Sequence, residues 1–431
     1  MTQTPTSPGH VAVIGAGIIG LGTAWALSRD GWQVTVVDSG QPGAGTSGGN
    51  GAQLSYAYVQ PLADPSIWMQ LPKLLLSPDS PLRFRLQADP AQWGWMLRFM
   101  AACRSHVSRE TTAQLLDLAA HSRQVFEQLL REEQLDCDFA ASGKLVLYPD
   151  AKGLEGARRQ VELQASMGGA TQRILSAQAC AEVEPALARY APKTAGGVYT
   201  PSECAVDAHQ LCQGLHQRLA ARGVRFLLGE NVRGWRRSGD QVQAVRLTSA
   251  EVEADAFVLA AGTGSVRLAR PLGLRLPVYP LKGYSITVPI TPSDAARAPR
   301  VSVTDLARKV VFARIGHRLR VAGMAELVGE NRSVDPARIA SLKHTTGEVF
   351  PGLDLSDHLQ PWAGLRPATP SGRPLIGQIP GCPANLWLNT GHGALGLTLA
   401  MGSADRLRER IRRSPSDRPV RHLPAPAPCS A

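Results

Sequence analysis

The sequence from residue 11 to residue 38 reads VAVIGAGIIGLGTAWALSRDGWQVTVVD, and its pattern decides the fold of the chain. The short apolar run at 11–14 predicts a buried parallel strand. A glycine-rich turn follows, and the apolar residues up to Ser28 predict a helix. A second strand is predicted over 33–37, and Asp38 ends it. Strand, turn, helix, strand and acid in this order predict an α/β fold built on a dinucleotide-binding βαβ unit.

Three glycines and one acid carry the chemistry of this unit. Gly15 permits the tight turn, Gly17 lets the backbone approach a pyrophosphate, and Gly20 lets the helix pack closely on the strand. The pyrophosphate is expected at the N-terminus of the helix, where free N–H groups and the positive end of the helix dipole lie. Asp38 is placed to accept hydrogen bonds from an adenosine ribose. The alternative is a glycine-rich helix that packs closely without any ligand.

Composition limits the classes of function. A chain of 431 residues with 44% hydrophobic content predicts two or three domains with substantial cores. The net charge is +11, but Lys and Arg are spread along the chain, so we expect no nucleic-acid partner. Seven cysteines without a C-x-x-C motif predict reduced thiols and a cytoplasmic protein. No metal site is predicted.

No stretch of the sequence predicts a membrane span or a signal peptide. Residues 1–10 carry no basic segment, and the uncharged residues 11–27 belong to the glycine-containing nucleotide pattern. Attachment to the inner surface of the cytoplasmic membrane stays open. Trp93, Trp95, Met96, Phe99 and Met100 crowd one helical segment, which is interpreted as core rather than as a membrane-binding face.

Periodicity predicts both helices and strands in the rest of the chain. Helices are expected over 89–135, 154–167, 208–222, 335–350 and 394–412, and strands over 143–148, 197–200, 224–228, 242–248, 251–254, 257–260 and 386–388. An antiparallel sheet is expected from the alternating segments 278–289, 301–304, 309–315 and 317–323. The Pro/Ala/Ser-rich tail 413–431 has little to bury and is expected to be disordered.

Two more stretches rich in small residues point to the same cofactor. Residues 40–55, GQPGAGTSGGNGAQLS, predict a close-fitting loop around a flavin and its pyrophosphate, although a flexible linker is the alternative. In residues 254–265, ADAFVLAAGTGS, a buried strand runs into a small-residue turn. Such a turn lets a second backbone segment approach the dinucleotide, as FAD-dependent two-domain enzymes need and NAD-only dehydrogenases do not. The alternative is an ordinary junction between strand and turn.

A turn at Gly391, His392 and Gly393 precedes the last predicted helix. The N-terminus of that helix can stabilise negative charge on the N1–C2=O edge of a reduced flavin. The alternative for His392 is a core histidine whose hydrogen bonds are satisfied.

Arg366 lies in the sequence GLRP at 364–367, between Trp362 and Pro367. A rigidly held guanidinium suits bidentate binding of a carboxylate. The alternative is a structural salt bridge.

Five motifs carry a family resemblance: VIGAGIIG at 13–20, VYPLKGYS at 278–285, RVAGMAELVG at 320–329, WAGLRP at 362–367 and LWLNTGHGALG at 386–396. Through them the chain resembles the bacterial D-amino-acid dehydrogenase branch of the D-amino-acid oxidase/glycine oxidase flavoprotein family, over nearly all of residues 10–410. The family implies FAD, a Rossmann-like FAD-binding domain that is discontinuous in sequence, and an α+β substrate domain with helices and an antiparallel sheet over the flavin. We expect the FAD-binding segments at 1–85, 200–272 and 362–412, and the substrate domain at 86–199 and 273–361.

The resemblance also implies roles for single residues. Arg366 matches the arginine that binds the substrate carboxylate, and His392 lies in the loop that touches the flavin pyrimidine edge. Tyr284, Tyr56 and Tyr58 are candidates for the pocket tyrosines of the oxidase branch. Covalent relatives carry a cysteine within the segment that reads GLRPATP here, so FAD is expected to be non-covalent. The predicted cofactor contacts are Gly15, Gly17, Ile18, Ile19, Gly20, Asp38, Ser39, Thr46, Ser47, Gly51, Gln53, Leu54, Val232, Ala260, Ala261, Gly262, Gly391, His392, Gly393, Ala394, Leu395 and Gly396.

The implied reaction is oxidative deamination. A D-amino acid, with its carboxylate on Arg366 and its amine neutral, would pass its Cα hydrogen as hydride to flavin N5. Water then hydrolyses the imino acid to a 2-oxo acid and ammonia, and a quinone or respiratory carrier takes the electrons. The same scaffold serves secondary-amine dehydrogenases of the proline, hydroxyproline or sarcosine type and oxygen-using amino-acid oxidases. A non-catalytic FAD-binding subunit is a further alternative, but such a subunit needs neither Arg366 nor the turn at His392.

Overall fold

The computed structural model describes residues 9–65, 82–85, 87–166, 169–356 and 358–413. Its two large sheets meet around one long cavity, and two small sheets complete the β-structure. In chain order the strands are β1 His10–Ile14, β2 Gln33–Asp38, β3 Gln53–Leu54, β4 Leu82–Phe84, β5 Lys144–Tyr148, β6 Arg173–Leu175, β7 Gly196–Thr200, β8 Cys204–Ala205, β9 Arg225–Leu228, β10 Gly234–Ser238, β11 Gln241–Arg246, β12 Glu251–Glu253, β13 Ala256–Leu259, β14 Tyr279–Pro289, β15 Ser302–Asp305, β16 Val310–Ile315, β17 Arg318–Leu327, β18 Gln360–Ala368, β19 Leu375–Gly377 and β20 Leu386–Thr390.

The helices pack on the outer faces of these sheets. The α-helices are α1 Ile18–Arg29, α2 Pro90–Ala102, α3 Ser105–Glu133, α4 Ala151–Ser166, α5 Ala177–Val183, α6 Ala208–Ala221, α7 Gly264–Ala269, α8 Pro336–Val349 and α9 Gly396–Arg413. Short 3-10 helices occur at Pro185–Leu187, Ala191–Lys193, Arg270–Leu272, Pro292–Asp294 and Gly393–Leu395.

The first sheet contains the predicted βαβ unit at its centre. Its strand order is β19-β20-β13-β1-β2-β9, and neighbouring strands are parallel except for β19, which is antiparallel to β20. Helices α1, α3, α6 and α9 share a hydrophobic core on one face, and the small antiparallel sheet β10-β11-β12 covers the other. The helices, the parallel sheet and the small antiparallel sheet therefore form three layers. Both faces of the parallel sheet are buried, as a parallel sheet requires.

The second sheet has the order β18-β14-β17-β16-β15-β5-β7-β6, with β4 paired to β17. It is mainly antiparallel, as predicted, but β15 runs parallel to β5 and β4 runs parallel to β17. Helix α8 packs on one face through Leu342, Val349 and the following Phe350. The edge strand β18 carries two prolines, which fits an edge position because proline cannot donate to a ladder.

Several boundaries differ from those predicted. The single helical segment expected over 89–135 is two helices, α2 and α3, separated at Cys103 and Arg104. The α-helix expected to start at residue 394 starts at Gly396, after one 3-10 turn. Strand β18 pairs with β14, so residues 362–368 lie in the sheet assigned to the substrate domain. The domain boundaries themselves stay predictions, and residues 414–431 of the predicted tail lie outside the described part of the chain.

Helix α2 corrects the prediction that its apolar residues are core. Trp95 is buried, but Trp93 is 45% exposed, Leu97 63% and Met100 37%. Because the spacing 93, 97 and 100 places these three on one side of the helix, α2 presents an apolar stripe to solvent. Within the described ranges no helix combines the length and apolar character needed to cross a membrane. Among the described cysteines, Cys137, Cys180, Cys204, Cys212 and Cys382 are free thiols.

Candidate active site

The glycine turn after β1 has the geometry that a dinucleotide site needs. Gly15 has φ +121°, and its N–H donates to the Val37 carbonyl at 2.8 Å. A Cβ on Gly15 would lie 2.5 Å from the Ala260 carbonyl oxygen, and one on Gly20 would overlap the Gly15 carbonyl. The turn therefore tolerates no side chain at either position, and it brings the end of β13 against the start of α1.

Two side chains complete this turn. Asp38 accepts from the Ala16 N–H at 2.6 Å and from the Gly40 N–H at 2.8 Å. Ser47 accepts from the Ile18 N–H at 3.0 Å. Each carboxylate oxygen keeps a further acceptor site for a ribose, whereas the Ser47 side chain also hydrogen-bonds the Cys212 thiol. The backbone N–H of Ile18, a predicted cofactor contact, is thus hydrogen-bonded to a serine side chain.

One cavity of about 2020 Å³ runs from this turn to the second sheet. Most predicted cofactor contacts line it: Gly15, Gly17, Ile18, Ile19, Asp38, Ser39, Thr46, Ser47, Gly51, Gln53, Val232, Ala260, Ala261, Gly262, His392, Gly393, Ala394, Leu395 and Gly396. Three predicted contacts, Gly20, Leu54 and Gly391, do not line the cavity. Gly20 packs on Gly15, Leu54 is fully buried in the core, and a Cβ on Gly391 would lie 2.7 Å from the Thr369 methyl group.

The glycine-rich loop 40–55 is tied to the second sheet rather than being a flexible linker. Thr46 donates to the Leu365 carbonyl at 2.8 Å, and Ser285 donates to the Gly49 carbonyl at 2.8 Å. The Gln53 amide donates to two carbonyls of β15 and β16, at 3.2 and 3.0 Å. These contacts, made between residues 46 and 53, hold the loop as one wall of the cavity.

His392 is buried, with 2% of its surface exposed, at the turn before α9. Neither ring nitrogen has a hydrogen-bond partner among the described residues. Burial lowers the pKa of the imidazole to about 3, so the ring is neutral at physiological pH. The alternative of a satisfied core histidine therefore does not hold. An unpartnered polar ring on the cavity wall fits the polar edge of a flavin.

Arg366 faces the cavity from β18. Its Nη1 donates to the Met324 carbonyl at 2.8 Å, and it forms no ion pair with a carboxylate of the described chain. Burial lowers the pKa of the guanidinium to about 10, and no neighbouring charge contributes. The alternative of a structural salt bridge thus finds no partner in the described chain. A half-buried cation without a counterion is a receptor for an anionic ligand.

The three candidate tyrosines occupy different places. Tyr284 is fully buried and donates to Glu326 Oε2 at 2.9 Å, within the core shared with α8. Because side chains alternate along a strand, its ring points away from the face that carries Arg366, but Tyr284 is still among the residues that line the cavity. Tyr56 lies in the core of the first sheet, outside the cavity wall. Tyr58 lines the cavity and hydrogen-bonds Thr200 at 2.9 Å.

The cavity wall also contains residues that were not predicted from the sequence, among them Lys144 and Trp362. Lys144 begins β5, is 6% exposed, and donates to the Ser55 hydroxyl at 2.8 Å. Burial lowers the pKa of its ammonium to about 8. Trp362 fills the space where Cβ atoms on Gly49 and Gly364 would stand. The sequence signal for Lys144 was a single lysine at the start of the apolar strand KLVLY. The signal for Trp362 was a glycine two residues after the tryptophan.

Comparison with known proteins identifies the family and close relatives. The family model described as "DAO: FAD dependent oxidoreductase" matches residues 10–410. The "D-amino acid dehydrogenase 2" of Ralstonia nicotianae is 47% identical over 94% of this chain and 97% of the relative. The protein of the same name from Pseudomonas aeruginosa is 45% identical over 94% of this chain and 95% of the relative.

Solved structures share the fold at low sequence identity. Glycine oxidase from Geobacillus kaustophilus has a TM-score of 0.74 at 20% identity, covering 96% of each chain. L-proline dehydrogenase from P. horikoshii has a TM-score of 0.73 at 16% identity, covering 95% of each chain. These two similarities concern the fold alone.

Proposed function

The chain belongs to the DAO family of FAD dependent oxidoreductases, and from that premise we propose that it is a dehydrogenase that oxidatively deaminates D-amino acids to 2-oxo acids and ammonia. The observation that carries this proposal is Arg366, a half-buried cation without a counterion in the described chain, on the wall of the cavity that also contains the nucleotide turn. The names of the relatives supply the substrate class.

The residues around the cavity fit FAD. Asp38, Ser47 and the glycine turn would hold the adenosine and pyrophosphate parts. The polar ring of His392 and the first turn of α9 would meet the flavin ring. No described cysteine lines the cavity, in keeping with FAD held without a covalent link. When bound, FAD supplies the hydride acceptor.

Arg366 would bind and orient the substrate. Its guanidinium presents a planar pair of N–H donors to a carboxylate, and pairing offsets the desolvation of both charges. The substrate amine must be neutral before the Cα hydrogen leaves, and a neutral amine needs no strong protein base. Positioning then provides most of the effect that the chain itself contributes. The neutral His392 adds polarity to the site without adding charge.

Anaerobic reduction of the bound flavin tests the proposal. The holoenzyme is mixed with D-amino acids, L-amino acids, cyclic imino acids such as proline, and N-methyl amino acids such as sarcosine. We expect loss of the visible flavin absorbance with D-amino acids and little change with their L-enantiomers. Bleaching by the cyclic or N-methyl compounds alone would assign a secondary-amine dehydrogenase. No bleaching by any class, in a protein that dithionite does reduce, would favour a non-catalytic FAD-binding protein.

The proposal includes a quinone or other respiratory electron acceptor and attachment to an anionic membrane surface. The outward stripe of Trp93, Leu97 and Met100 on α2 supports attachment. Arg83, Arg85 and Arg104, just before and after this helix in the sequence, are exposed and form no ion pair with a described carboxylate. No residue of α2 is acidic. Apolar side chains with basic neighbours are the composition that binds anionic lipid headgroups.

The position of α2 links this surface to the cavity. The Trp95 indole donates to the Ala368 carbonyl at 2.8 Å, and its ring stacks on Phe99 at 5.2 Å. Trp95, Arg98 and Phe99 also line the cavity. One side of the helix therefore faces the cavity while the other faces outward. A lipid-soluble acceptor would enter from the membrane beside α2.

Vesicle sedimentation tests the attachment. We expect the full chain to sediment with phosphatidylglycerol vesicles and not with phosphatidylcholine vesicles. Changing Trp93 and Leu97 together to serine should lower the bound fraction severalfold. Leu163→Ser is the matched control, because Leu163 is 51% exposed on α4. Equal binding of the double variant and the control would contradict this role of α2.

A further inference from the structure

A β-bulge interrupts the second sheet beside Arg366. Strand β14 pairs Lys282 with Glu326 and Tyr284 with Gly323, so Gly283 alone opposes two residues of β17, Met324 and Ala325. Met324 has φ +65°, a left-handed conformation that is uncommon for a residue other than glycine. Bulges of this kind redirect backbone and side-chain groups next to active sites.

The bulge and its partner glycine both contact the same guanidinium. The Met324 carbonyl leaves the ladder and accepts from Arg366 Nη1 at 2.8 Å. Arg366 pairs with Leu281 across β14 and β18, so its side chain lies diagonally over Gly283. A Cβ on Gly283 would lie 2.6 Å from Nη1 and would overlap Cζ and Nη2. The guanidinium thus occupies the volume that any side chain at Gly283 would fill.

These contacts join three strands. The backbone of Arg366 belongs to β18, and its side chain lies over Gly283 on β14. Its guanidinium then donates to the Met324 carbonyl on β17. The long arginine side chain would otherwise sample several rotamers, and fixing it beforehand reduces the entropy lost when a ligand binds. With one N–H held by Met324, the remaining donors point in set directions because the guanidinium is planar.

We infer that Gly283 and the Met324 bulge are positioning residues that orient the Arg366 guanidinium toward the substrate carboxylate. This inference rests on the proposed function, since it assigns a purpose to the substrate arginine. The absence of a side chain at Gly283 leaves the space in which the guanidinium lies. The hydrogen bond to the Met324 carbonyl fixes the orientation of the guanidinium plane. Neither residue needs to contact the reacting atoms.

A double-mutant cycle on the holoenzyme tests the inference. Gly283→Ala places a methyl group where the guanidinium lies, so it should raise the KM for D-alanine and the Kd for the corresponding 2-oxo acid by at least about tenfold, the value of one hydrogen bond to a charged group. The kcat should change less than the KM. In the Arg366→Ala background the same methyl group meets empty space and should have almost no further effect. Gly234→Ala is the matched control, because nothing lies within 4 Å of a Cβ at that strand position.

Thermal unfolding keeps the test informative if Gly283→Ala folds poorly. The double variant should then melt at a higher temperature than Gly283→Ala alone, because removing the arginine removes the clash. Met324→Gly should keep substrate affinity within a few fold, since glycine adopts the same positive φ and keeps the carbonyl.

The outcomes separate this inference from the proposed function. Normal D-alanine kinetics in Arg366→Ala would refute the substrate role of Arg366 itself. A large loss in Arg366→Ala together with wild-type affinity in Gly283→Ala would overturn the positioning role alone. Equal losses from Gly283→Ala in both backgrounds would overturn it as well, because the methyl group would then act elsewhere.

Discussion

Replacing Arg366 measures how strongly the cavity binds a carboxylate. Burial lowers the pKa of this guanidinium to about 10, and each pH unit corresponds to about 1.4 kcal/mol, so the charged form lies about 3 kcal/mol above its free energy in water. A bound carboxylate recovers that free energy by pairing. We therefore expect Arg366→Ala to lower kcat/KM for a D-amino acid at least about a hundredfold.

Lysine distinguishes charge from geometry at this position. Arg366→Lys keeps the cation but loses the planar pair of donors, and its ammonium cannot hold the Met324 carbonyl and a carboxylate in the same arrangement. A fall of about tenfold or more in kcat/KM is expected, smaller than that of alanine. Steady-state kinetics of FAD-replete protein with a dye acceptor provide the measurement. Arg300→Ala, at an exposed arginine outside the cavity wall, is the control.

FAD content decides how the result is interpreted. Arg366 contacts neither the glycine turn nor Asp38, so both variants should retain FAD. A kcat/KM unchanged in FAD-replete Arg366→Ala would refute the reasoning, because the carboxylate would then be bound elsewhere. Loss of FAD in step with activity would show that the arginine supports the cofactor instead.

Three further predictions concern the cofactor, the acceptor and pH. Acid precipitation should release all yellow colour into the supernatant, because no described cysteine lines the cavity, and flavin retained in the pellet would contradict non-covalent binding. Turnover with quinone-like dyes should be much faster than with oxygen, as in the dehydrogenase branch, and comparable rates would move the protein to the oxidase branch. Burial lowers the pKa of His392 from 6.5 to about 3. Between these two pH values the imidazole is protonated in the unfolded chain but neutral in the folded chain. The free energy of unfolding should therefore fall by about 1.4 kcal/mol for each unit that the pH decreases in this range. Denaturant unfolding of His392→Gln from pH 7 to pH 4 should therefore show a shallower loss than wild type, and parallel curves would show that His392 is not buried neutral.

The nucleotide turn could be predicted from the sequence because its constraints are local. Gly15 and Gly20 are required by backbone contacts within one βαβ unit, and the motif states them directly. The predicted helix boundaries near 103 and 394 were wrong, because one polar break or one 3-10 turn leaves little mark on the periodicity.

The substrate side could be predicted only in part, because strand register decides it. Arg366 was found through its motif, but β18 was not predicted as a strand, since prolines and glycine obscure its alternation. Tyr284 lines the cavity, but its hydroxyl donates to Glu326 on the face opposite Arg366, so its role as a pocket tyrosine stays a prediction. Gly283 and Met324 left no signal, because a bulge depends on the register between two strands.

The order of strands in the first sheet has a consequence for how the protein is made. Its central strand β1 pairs with β13, whose residues follow about 245 positions later, and β20 and α9 complete the sheet only at the end of the described chain. A ribosome-bound chain that has emerged only as far as β13 still lacks His392 and Arg366. The first sheet and the cavity wall therefore form only after the chain has emerged as far as α9, and until then the nascent β1 and α1 expose apolar surface that chaperones recognise.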